Sequence, residues 1–254
     1  MICNLNSATP IWPSRDPVSI CMPICNEVDV IQIVVQEWID EVFKYLPSGS
    51  EFIFDEAGST DGTKEALLEL KKKYPFIRVN FHDAKDGFAN ATKRLYQEAH
   101  CPWIFCTDSD GQYIACDFWK LAKQIEHNYD LIRGAKIGRK DPLFRRIASL
   151  FFNKIIWFLF NMNFLDFNST FFLIKKNVLD QILPHINCME TLINTELLLR
   201  TELENYNIKQ IYILHRPRRF GVSRGLHPIT FIKHSIKALI GLFKIKASYR
   251  TQKL

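Results

Sequence analysis

The sequence predicts an α/β protein whose central sheet is mostly parallel and carries helices on both faces. Short apolar runs, typical of buried strands, alternate with longer segments whose apolar residues recur at helical spacing. The connections between them are short, as expected where strands and helices follow one another in a layered fold. Polar clusters come directly after several of these strands, and ligands of parallel sheets bind beyond the carboxyl ends of the strands.

The predicted elements follow one another along the whole chain. Strands are predicted at residues 17–23, 51–55, 77–81, 103–108 and 131–136, within 166–173, and from residue 211. Helices are predicted at residues 30–45, 64–73, 86–99, 147–165, 191–205 and 227–246. Pro23 ends the first strand, because proline cannot donate to a sheet ladder.

The chain is predicted to divide into a leader at 1–16, a large domain at 17–225 and a basic tail at 226–254. Its 254 residues, 47% of them hydrophobic, are enough for a full buried core. The seven cysteines show no Cys-x-x-Cys spacing, so we expect reduced thiols without structural zinc. The beginning of the chain has no basic segment followed by an apolar one, which favours a cytoplasmic protein over a secreted one.

Two carboxylates stand at the end of the fourth predicted strand. Alternation along an extended chain puts Asp108 and Asp110 on the same side. Carboxylates so close repel each other unless a cation lies between them, and hard divalent cations prefer oxygen ligands. The amide oxygen of Gln112 is a third oxygen within reach. The alternative is a strand followed by an ordinary polar turn, since Asp, Ser and Gly all favour turns.

Two further polar clusters follow the first and second strands. They run from Pro23 to Glu27 and from Glu56 to Asp61. Parallel strands would bring both clusters to the sheet edge that carries Asp108. One shared site is therefore a better explanation than three unrelated turns.

These three motifs, in this order and at these separations, resemble the nucleotide-sugar-dependent glycosyltransferases of family 2, which have the GT-A fold. They are Pro-x-x-Asn-Glu at 23–27, Gly-Ser-Thr-Asp-Gly-Thr at 58–63 and Asp-Ser-Asp-Gly-Gln at 108–112. Within that family, residues 17–225 are most similar to the polyprenyl-phosphate (dolichyl-phosphate) sugar synthases. The resemblance implies inverting transfer of a sugar from a nucleoside diphosphate, with Mg²⁺ or Mn²⁺ as cofactor.

The resemblance also implies roles for individual residues. Nucleotide-sugar binding is expected at Pro23, Cys25, Glu27, Glu56, Asp86, Asp108, Ser109, Asp110 and Lys136. Metal binding is expected at Asp108, Asp110 and Gln112, and the residues expected to serve catalysis are Asp108, Asp110 and Arg218. Acceptor or phosphate binding is expected at Arg139, Arg145, Ser169, Arg218, Ser223 and Arg224.

The chain departs from the family pattern at several of these positions. Glu56 and Ala57 stand where the family usually has two aspartates, and Cys25 stands where an aromatic residue is common. Lys136 replaces a common arginine, which keeps the charge but loses the bidentate fork. The arginine-rich loop ends in Gly-x-Ser-Arg at 221–224, where the similar enzymes have Gly-x-Ser-Lys.

The acceptor's chemistry is left open by these residues. A lipid phosphate is already anionic and needs no general base, whereas a sugar hydroxyl does. Asp166, Glu190 and Glu196 are the candidates for such a base. The basic residues of the acceptor side could also be a solvated surface with no ligand.

Charge and apolar patterning favour an acceptor linked to a membrane. Residues 205–254 contain eleven Lys or Arg and no Asp or Glu, which leaves 22 basic and 27 acidic residues in 1–204. Residues 147–165 are almost entirely apolar but short for a spanning helix, so we interpret them as a surface helix or a wall for a lipid tail. In the tail, an apolar stripe from Ile229 to Phe243 lies beside three lysines, as in basic amphipathic helices that bind anionic lipids. A buried core helix and a tail docked on the body are the alternatives.

The expected function is thus a peripheral glycosyltransferase on the cytoplasmic face of a membrane, with a lipid phosphate or a glycan as acceptor. One alternative is a membrane-surface binding protein of the same fold that has lost catalysis. Another is a nucleotidyltransferase, although no glycine-rich, lysine-containing loop follows the first strand. The basic tail lacks a recognisable nucleic-acid module, so nucleic acid is not an expected partner.

Overall fold

The structure, a computed structural model, describes residues 10–137, 143–189, 191–218 and 228–252, without the side chains of 143–146, 228–232 and 250–252. Five residues of the predicted site lie outside this description: Arg139, Glu190, Ser223, Arg224 and the side chain of Arg145. The proposed leader lies largely outside it as well.

Seven strands form one mixed sheet. They are β1 (Val18–Ile24), β2 (Glu51–Ala57), β3 (Ile77–His82), β4 (Trp103–Cys106), β5 (Leu131–Ile137), β6 (Phe172–Lys175) and β7 (Ile208–Leu214). The strand order is β3-β2-β1-β4-β6-β5-β7. All neighbouring pairs are parallel except those that β6 makes with β4 and β5. The prediction of a mostly parallel sheet is confirmed.

Eight helices flank this sheet within the described residues. They are α1 (Ile31–Glu41), α2 (Thr63–Lys73), α3 (Phe88–Glu98), α4 (Phe118–Ala122), α5 (Leu143–Phe160), α6 (Lys176–Ile182), α7 (Ile193–Leu203) and α8 (Pro228–Gln252). Helix α1 ends before its predicted end at residue 45, and a 3₁₀ turn at Phe43–Tyr45 follows it. The short helices α4 and α6 were not predicted, because one or two turns give too little periodicity to detect.

Each face of the sheet carries its own core. Alternation along a strand sends Ile20 and Met22 to one face, and Cys21 between them to the other. Buried residues of α1, α2 and α4 pack in the first core. Buried residues of α3, α5, α6, α7 and α8 pack in the second. Helices on both faces are therefore present, as predicted.

The antiparallel strand β6 has a consequence for the site. Parallel strands present their carboxyl ends at one edge, whereas an antiparallel neighbour presents its amino end there. Residues just before β6, such as Ser169 and Thr170, therefore reach the same edge as residues just after β4. The short strand predicted within 166–173 begins at Phe172, so most of that segment is loop at the site edge.

Five cysteines have free thiols, whereas Cys116 is in a disulfide bond. The expectation that all seven thiols are reduced is therefore wrong at Cys116. None of the helices in the described part of the chain is long and apolar enough to cross a membrane.

Candidate functional site

A cleft of about 530 Å³ opens at the carboxyl ends of β1, β2 and β4. It is lined by Pro23, Ile24, Cys25, Glu27, Ala57, Lys85, Gly87, Phe88, Ala91, Asp108, Ser109 and Asp110. Six of the predicted donor residues are in this set, from two of the three sequence motifs. The topology therefore brings together residues that lie more than eighty positions apart in the chain.

Asp108 and Asp110 lie in the loop directly after β4. Asp110 accepts a hydrogen bond from the backbone N–H of Gln112 at 3.0 Å, and Gly111 completes the turn with φ +70°. Burial raises the pKa of Asp108 to about 6, and the nearby charge of Asp110 adds to the rise. A carboxylate pair held in this way fits a divalent cation, which would relieve both effects. Other oxygens of the cation shell would come from a bound diphosphate.

The first two motifs are hydrogen-bonded to each other. Asn26, with φ +53°, donates its backbone N–H to Ser59 Oγ and accepts one from Thr60, both at 2.7 Å. The backbone N–H of Glu27 donates to Thr63 Oγ1 at 2.9 Å. Most of the polar side chains in the motifs therefore fix the loop that carries Glu27 into the cleft.

Asp61 secures the second loop in the same way. It accepts hydrogen bonds from the backbone and the hydroxyl of Thr63 at 3.1 and 2.6 Å. Partial burial acts to raise the pKa of Asp61, but these hydrogen bonds outweigh it and lower the pKa below its usual range. Gly58 is required here, since a Cβ at its φ of +65° would lie 2.8 Å from the backbone of Ala84.

Glu56 is buried beneath the second loop and accepts a hydrogen bond from the backbone N–H of Ser59. It is absent from the cleft lining, where its neighbour Ala57 takes part. Cys25 does line the cleft, with a free thiol. Nucleoside binding by Glu56 and Cys25 stays a prediction.

The loop after β7 is clamped against the loop after β4. Arg216 pairs with Glu37 and donates to the backbone carbonyl of Gly111. The side-chain N–H of Gln112 donates to the backbone carbonyl of Arg216 at 3.2 Å. The backbone carbonyl of Gln112 accepts from the backbone N–H of Arg216 at 2.9 Å. Gln112 thus joins the two loops, and metal ligation by its side-chain oxygen stays a prediction.

Arg218 forms an ion pair with Glu27, which lines the cleft. Its Nε is buried and has no hydrogen-bond partner among the described residues. An unsatisfied guanidinium N–H can donate to an anion that binds beside it. The position of Arg218 fits its predicted role near a diphosphate.

On the acceptor side, Tyr113 is the centre of a polar cluster. Its hydroxyl contacts Thr170 Oγ1 at 3.0 Å and receives a hydrogen bond from Lys136 Nζ at 3.3 Å. Thr170 also hydrogen-bonds to Asp108, and Lys136 Nζ lies 3.5 Å from Asp166 Oδ2. The cluster therefore links Asp108 to Lys136 and Asp166. Both the Thr170 hydrogen bond and the Lys136 charge oppose the rise in the pKa of Asp108.

Ser169 and Arg133 lie beneath this cluster. Ser169 is fully buried, and its hydroxyl is 3.5 Å from that of Tyr113. Arg133 is also fully buried and donates to the backbone carbonyls of Phe167, Ser169 and Asn194. Burial lowers the pKa of Arg133. The free protein thus presents the Ser169 hydroxyl to protein groups, and acceptor binding by Ser169 stays a prediction.

Two other predicted residues are engaged in buried or structural ion pairs. Asp86 pairs with Arg94, which also forms a bidentate pair with buried Asp55. The hydrogen bonds that Arg94 donates to Asp55, and next those to Asp86, raise the pKa of Arg94. Glu196 is fully buried and accepts from the backbone of residues 187–189 and from Arg200. Its proposed role as a base is therefore corrected to a structural one, because its carboxylate is saturated and out of solvent. Of the base candidates in the described residues, Asp166 remains.

Sequence reasoning missed four residues of the site. Lys85, three residues before α3, and Phe88, its first residue, line the cleft, and Tyr113 and Thr170 form the polar cluster beside Asp108. A signal existed for Phe88, an aromatic residue directly after a glycine at a helix start. Nothing comparable marks Thr170, which reaches the site because β6 is antiparallel.

Comparison with known proteins identifies the family. The family described as "Glycosyl transferase family 2" matches residues 19–183. The chain is 23% identical over 211 residues to an undecaprenyl-phosphate 4-deoxy-4-formamido-L-arabinose transferase of Pectobacterium atrosepticum, covering 82% of this chain and 62% of that protein. The Photorhabdus laumondii protein of the same name is 26% identical over 140 residues, 55% of this chain and 43% of that protein. The chain thus spans less than two thirds of these relatives.

Solved structures have the same fold. Glucosyl-3-phosphoglycerate synthase of Mycobacterium tuberculosis, in complex with Mn²⁺, UDP and glucosyl-3-phosphoglycerate, superposes with a TM-score of 0.69 at 18% identity, over 91% of this chain and 80% of that one. The mannosyltransferase PcManGT of Pyrobaculum calidifontis gives 0.60 at 14% identity, over 96% and 76%. The GT-A fold is shared, and the family match extends over most of the described cleft. The chain belongs to glycosyl transferase family 2.

Proposed function

We propose that this chain transfers a sugar, with inversion, from a nucleoside diphosphate sugar to a polyprenyl phosphate. The observation that carries the proposal is the carboxylate pair Asp108 and Asp110, which lines a cleft of about 530 Å³ together with Glu27, the ion-pair partner of Arg218. The names of the Pectobacterium and Photorhabdus relatives support an undecaprenyl-phosphate acceptor. The Mn²⁺ and UDP of the Mycobacterium structure support the donor and the metal.

The donor's diphosphate would lie over Asp108 and Asp110. A divalent cation held there would neutralise charge on the departing diphosphate. Arg218 would exchange its ion pair with Glu27 for the diphosphate and donate a charge-assisted hydrogen bond. The nucleoside would occupy the part of the cleft lined by Pro23, Cys25 and Ala57.

The acceptor would approach from the Tyr113 cluster. Lys136 stands there with its Nζ 3.3 Å from the Tyr113 hydroxyl, close enough to Asp108 for its charge to lower the pKa of that carboxyl. A phosphate oxygen of the acceptor would form a bond to the anomeric carbon as the bond to the nucleoside diphosphate breaks, and the leaving group keeps the electron pair. Because the phosphate is already anionic, no general base is required.

A hydroxyl acceptor would change one step. It would need a base, and Asp166, paired with Lys136 at 3.5 Å, is the described carboxylate beside the cluster. A small phosphorylated molecule is a further alternative for the acceptor, because the Mycobacterium protein is named glucosyl-3-phosphoglycerate synthase. Both alternatives enter the experiment below.

Peripheral association with the cytoplasmic face of a membrane is part of the proposal. A polyprenyl phosphate keeps its phosphate at the lipid surface, and the donor is dissolved in water. The absence of Asp and Glu after Glu204 suits an anionic surface.

The test is a donor screen on the purified chain. Common nucleotide sugars are incubated with Mn²⁺ or Mg²⁺ and with a short-chain polyprenyl phosphate dispersed in detergent, 3-phosphoglycerate or a sugar alcohol, and nucleoside diphosphate release is followed. We expect release that needs both the metal and the polyprenyl phosphate. Release only with 3-phosphoglycerate or a sugar alcohol would show that the acceptor is not a polyprenyl phosphate. No release with any pair of donor and acceptor would favour a protein that binds without catalysis.

A further inference from the structure

Helix α5 turns large apolar side chains to solvent along one side. Phe151 and Phe158, one side chain 68% and the other 81% exposed, lie on that side with Lys154 between them. The opposite side is buried in the second core through Ile156 and Phe160. A helix that has an apolar face in the core usually has a polar face outside, and α5 does not.

Helix α8 repeats this arrangement. It packs on the same core through Ala238, Leu242 and Ile245. Its exposed side carries an apolar stripe at helical spacing, Ile236, Ile240 and Phe243, each at least half exposed. The part of the predicted tail stripe whose side chains are described thus faces mainly away from the body.

The two helices form one continuous surface. They contact each other, and Lys246 of α8 lies over the Phe160 ring of α5 at 5.3 Å. Both are buried on the side that faces the second core, so their exposed sides face outward together. We call this the two-helix surface. Of the sixteen exposed large apolar residues in the described part of the chain, eight lie on these two helices, whereas soluble proteins normally expose such residues singly.

The charge of the two-helix surface is of one sign. Residues 143–165 and 228–252 contain no Asp or Glu. Exposed lysines border the apolar residues, with Lys154 on α5 and Lys233 and Lys244 on α8. A second copy of the chain would bring lysines against lysines, since a two-fold interface pairs a patch with itself. An anionic lipid surface instead satisfies both the apolar and the basic side chains.

Apolar side chains are also exposed where the chain runs from α5 to the Tyr113 cluster. Leu165 is exposed, and its backbone N–H donates at 2.6 Å to Gln210 of β7, which shares a strand face with exposed Tyr212 and Leu214. Leu165 directly precedes Asp166, which pairs with Lys136 in the Tyr113 cluster.

We propose that the two-helix surface docks flat on an anionic bilayer and sets the acceptor side of the cleft beside the lipid headgroups. This deepens the proposed function and rests on it only for the identity of what lies at the headgroups. The apolar residues would enter the boundary between headgroups and acyl chains, and the lysines would lie among anionic headgroups.

The experiment is flotation of the full chain with phosphatidylcholine vesicles, with and without phosphatidylglycerol. We expect binding that needs phosphatidylglycerol and weakens with salt. Double substitution F151S/F158S should lower partitioning at least about tenfold, because each phenylalanine loses burial in lipid. K233E and K244E should each lower it by about fivefold or more.

Matched controls lie elsewhere on the protein. Ile11 is 82% exposed, about as much as Phe158. It lies away from the two-helix surface, because its neighbour Trp12 packs in the first core, on the other face of the sheet. I11S and, for charge, K71E on α2 should float like the unchanged protein. All variants concern exposed side chains, so melting temperatures should not change.

Three results would overturn the inference. They are no flotation of the unchanged protein, equal loss in I11S and F151S/F158S, or a dimer in light scattering that F151S/F158S dissociates. Transfer to a short-chain acceptor in detergent is measured in parallel. Flotation without transfer would overturn the proposed transfer reaction and leave this inference standing. Transfer without flotation would overturn this inference and the membrane association, and leave the proposed reaction standing.

Discussion

The loops that form the cleft and the helices beside it differ in how their side chains are satisfied. In the loops after β1 and β2, Asn26 is hydrogen-bonded to Ser59 and Thr60, and Thr63 accepts from the Glu27 N–H. Asp61 accepts from the backbone of both loops, at Val28 and at Thr63. In the two-helix surface, aromatic and aliphatic side chains lie in solvent. The polar side chains of one region are satisfied within the chain, whereas the apolar side chains of the other are left in solvent, where we propose that a lipid surface covers them.

This difference separates two kinds of binding. A donor cleft with its loops already bonded loses little conformational freedom when a small ligand enters. The two-helix surface carries no comparable polar network, and its affinity would come from apolar area and charge. Mutations in the cleft should therefore change catalysis, whereas mutations in the two-helix surface should change location. The following variants test the cleft half of the comparison, from the largest effect to the smallest.

Asp110→Asn should reduce transfer by about 10²-fold or more, because one of two anionic metal ligands is lost. The amide oxygen of the asparagine can still accept from the Gln112 N–H, so the loop is expected to keep its turn. Product formation at saturating Mn²⁺ measures the effect, and circular dichroism controls for folding. Full activity in this variant would show that Asp110 is not a metal ligand needed for transfer.

Arg218→Ala should lower kcat by about 10²-fold, because a donor aimed at the developing charge of the leaving group is lost. Arg218→Lys keeps the positive charge but lacks the two-pronged guanidinium, so it should retain part of the kcat that Arg218→Ala loses. Glu27→Gln is the matched partner change, since it breaks the same ion pair and leaves the guanidinium in place. If both changes lowered kcat equally, the ion pair itself, rather than the guanidinium, would be what matters.

Phe88→Ala should raise the KM for the nucleotide sugar by about tenfold and change kcat little. Phe88 is 42% exposed in the cleft, opposite Pro23 and Cys25, where an aromatic ring can stack on a base. Stacking of a base on an aromatic side chain contributes about 1–3 kcal/mol. Phe88→Tyr is the control and should bind as the unchanged protein does. A kcat defect in Phe88→Ala with an unchanged KM would contradict nucleoside stacking.

Metal affinity should weaken as the pH falls through about 6, where Asp108 takes up a proton. The pKa of Asp108 is raised above its ordinary 3.8 in the folded protein, so its carboxylate is disfavoured by folding. The metal-free protein therefore gains stability from this group as the pH falls through about 6, and loses that gain above it.

Calorimetric Mn²⁺ titrations across this pH range, with melting curves of the metal-free protein, measure both effects. Asp108→Asn should remove the pH dependence and raise the melting temperature of the metal-free protein at neutral pH by a few degrees. A metal affinity independent of pH between about 7 and 5 would contradict the raised pKa.

The sequence was most informative where a pattern is local. Strands β1 to β4 are within two residues of their predicted bounds, since each is a short apolar run followed by turn residues. The sequence was least informative about which groups each polar side chain contacts in the folded protein. Asn26 and Glu56 stand in motifs typical of nucleotide binding, yet both contact the loop at Ser59 and Thr60.

Helix α8 is a second case in which the sequence did not reveal the contacts that a residue makes. The tail was predicted to be helical, and α8 is. Periodicity identified an apolar stripe in it, but Ala238, Leu242 and Ile245 on another side make the contact with the core. A helix with apolar residues on two sides does not reveal in its sequence which side the body covers.

By itself the sequence determined the class of fold, the order of its elements, the carboxylate pair at the end of β4 and the one-sided charge of the tail. These depend on residues adjacent in the chain or repeated at a fixed period. Only the tertiary structure decided that Thr170 and Tyr113 stand beside Asp108, that Arg218 crosses to Glu27, and that two helices expose one continuous apolar surface. Those contacts depend on strand direction and on which faces are covered, and both follow from packing between residues far apart in the chain.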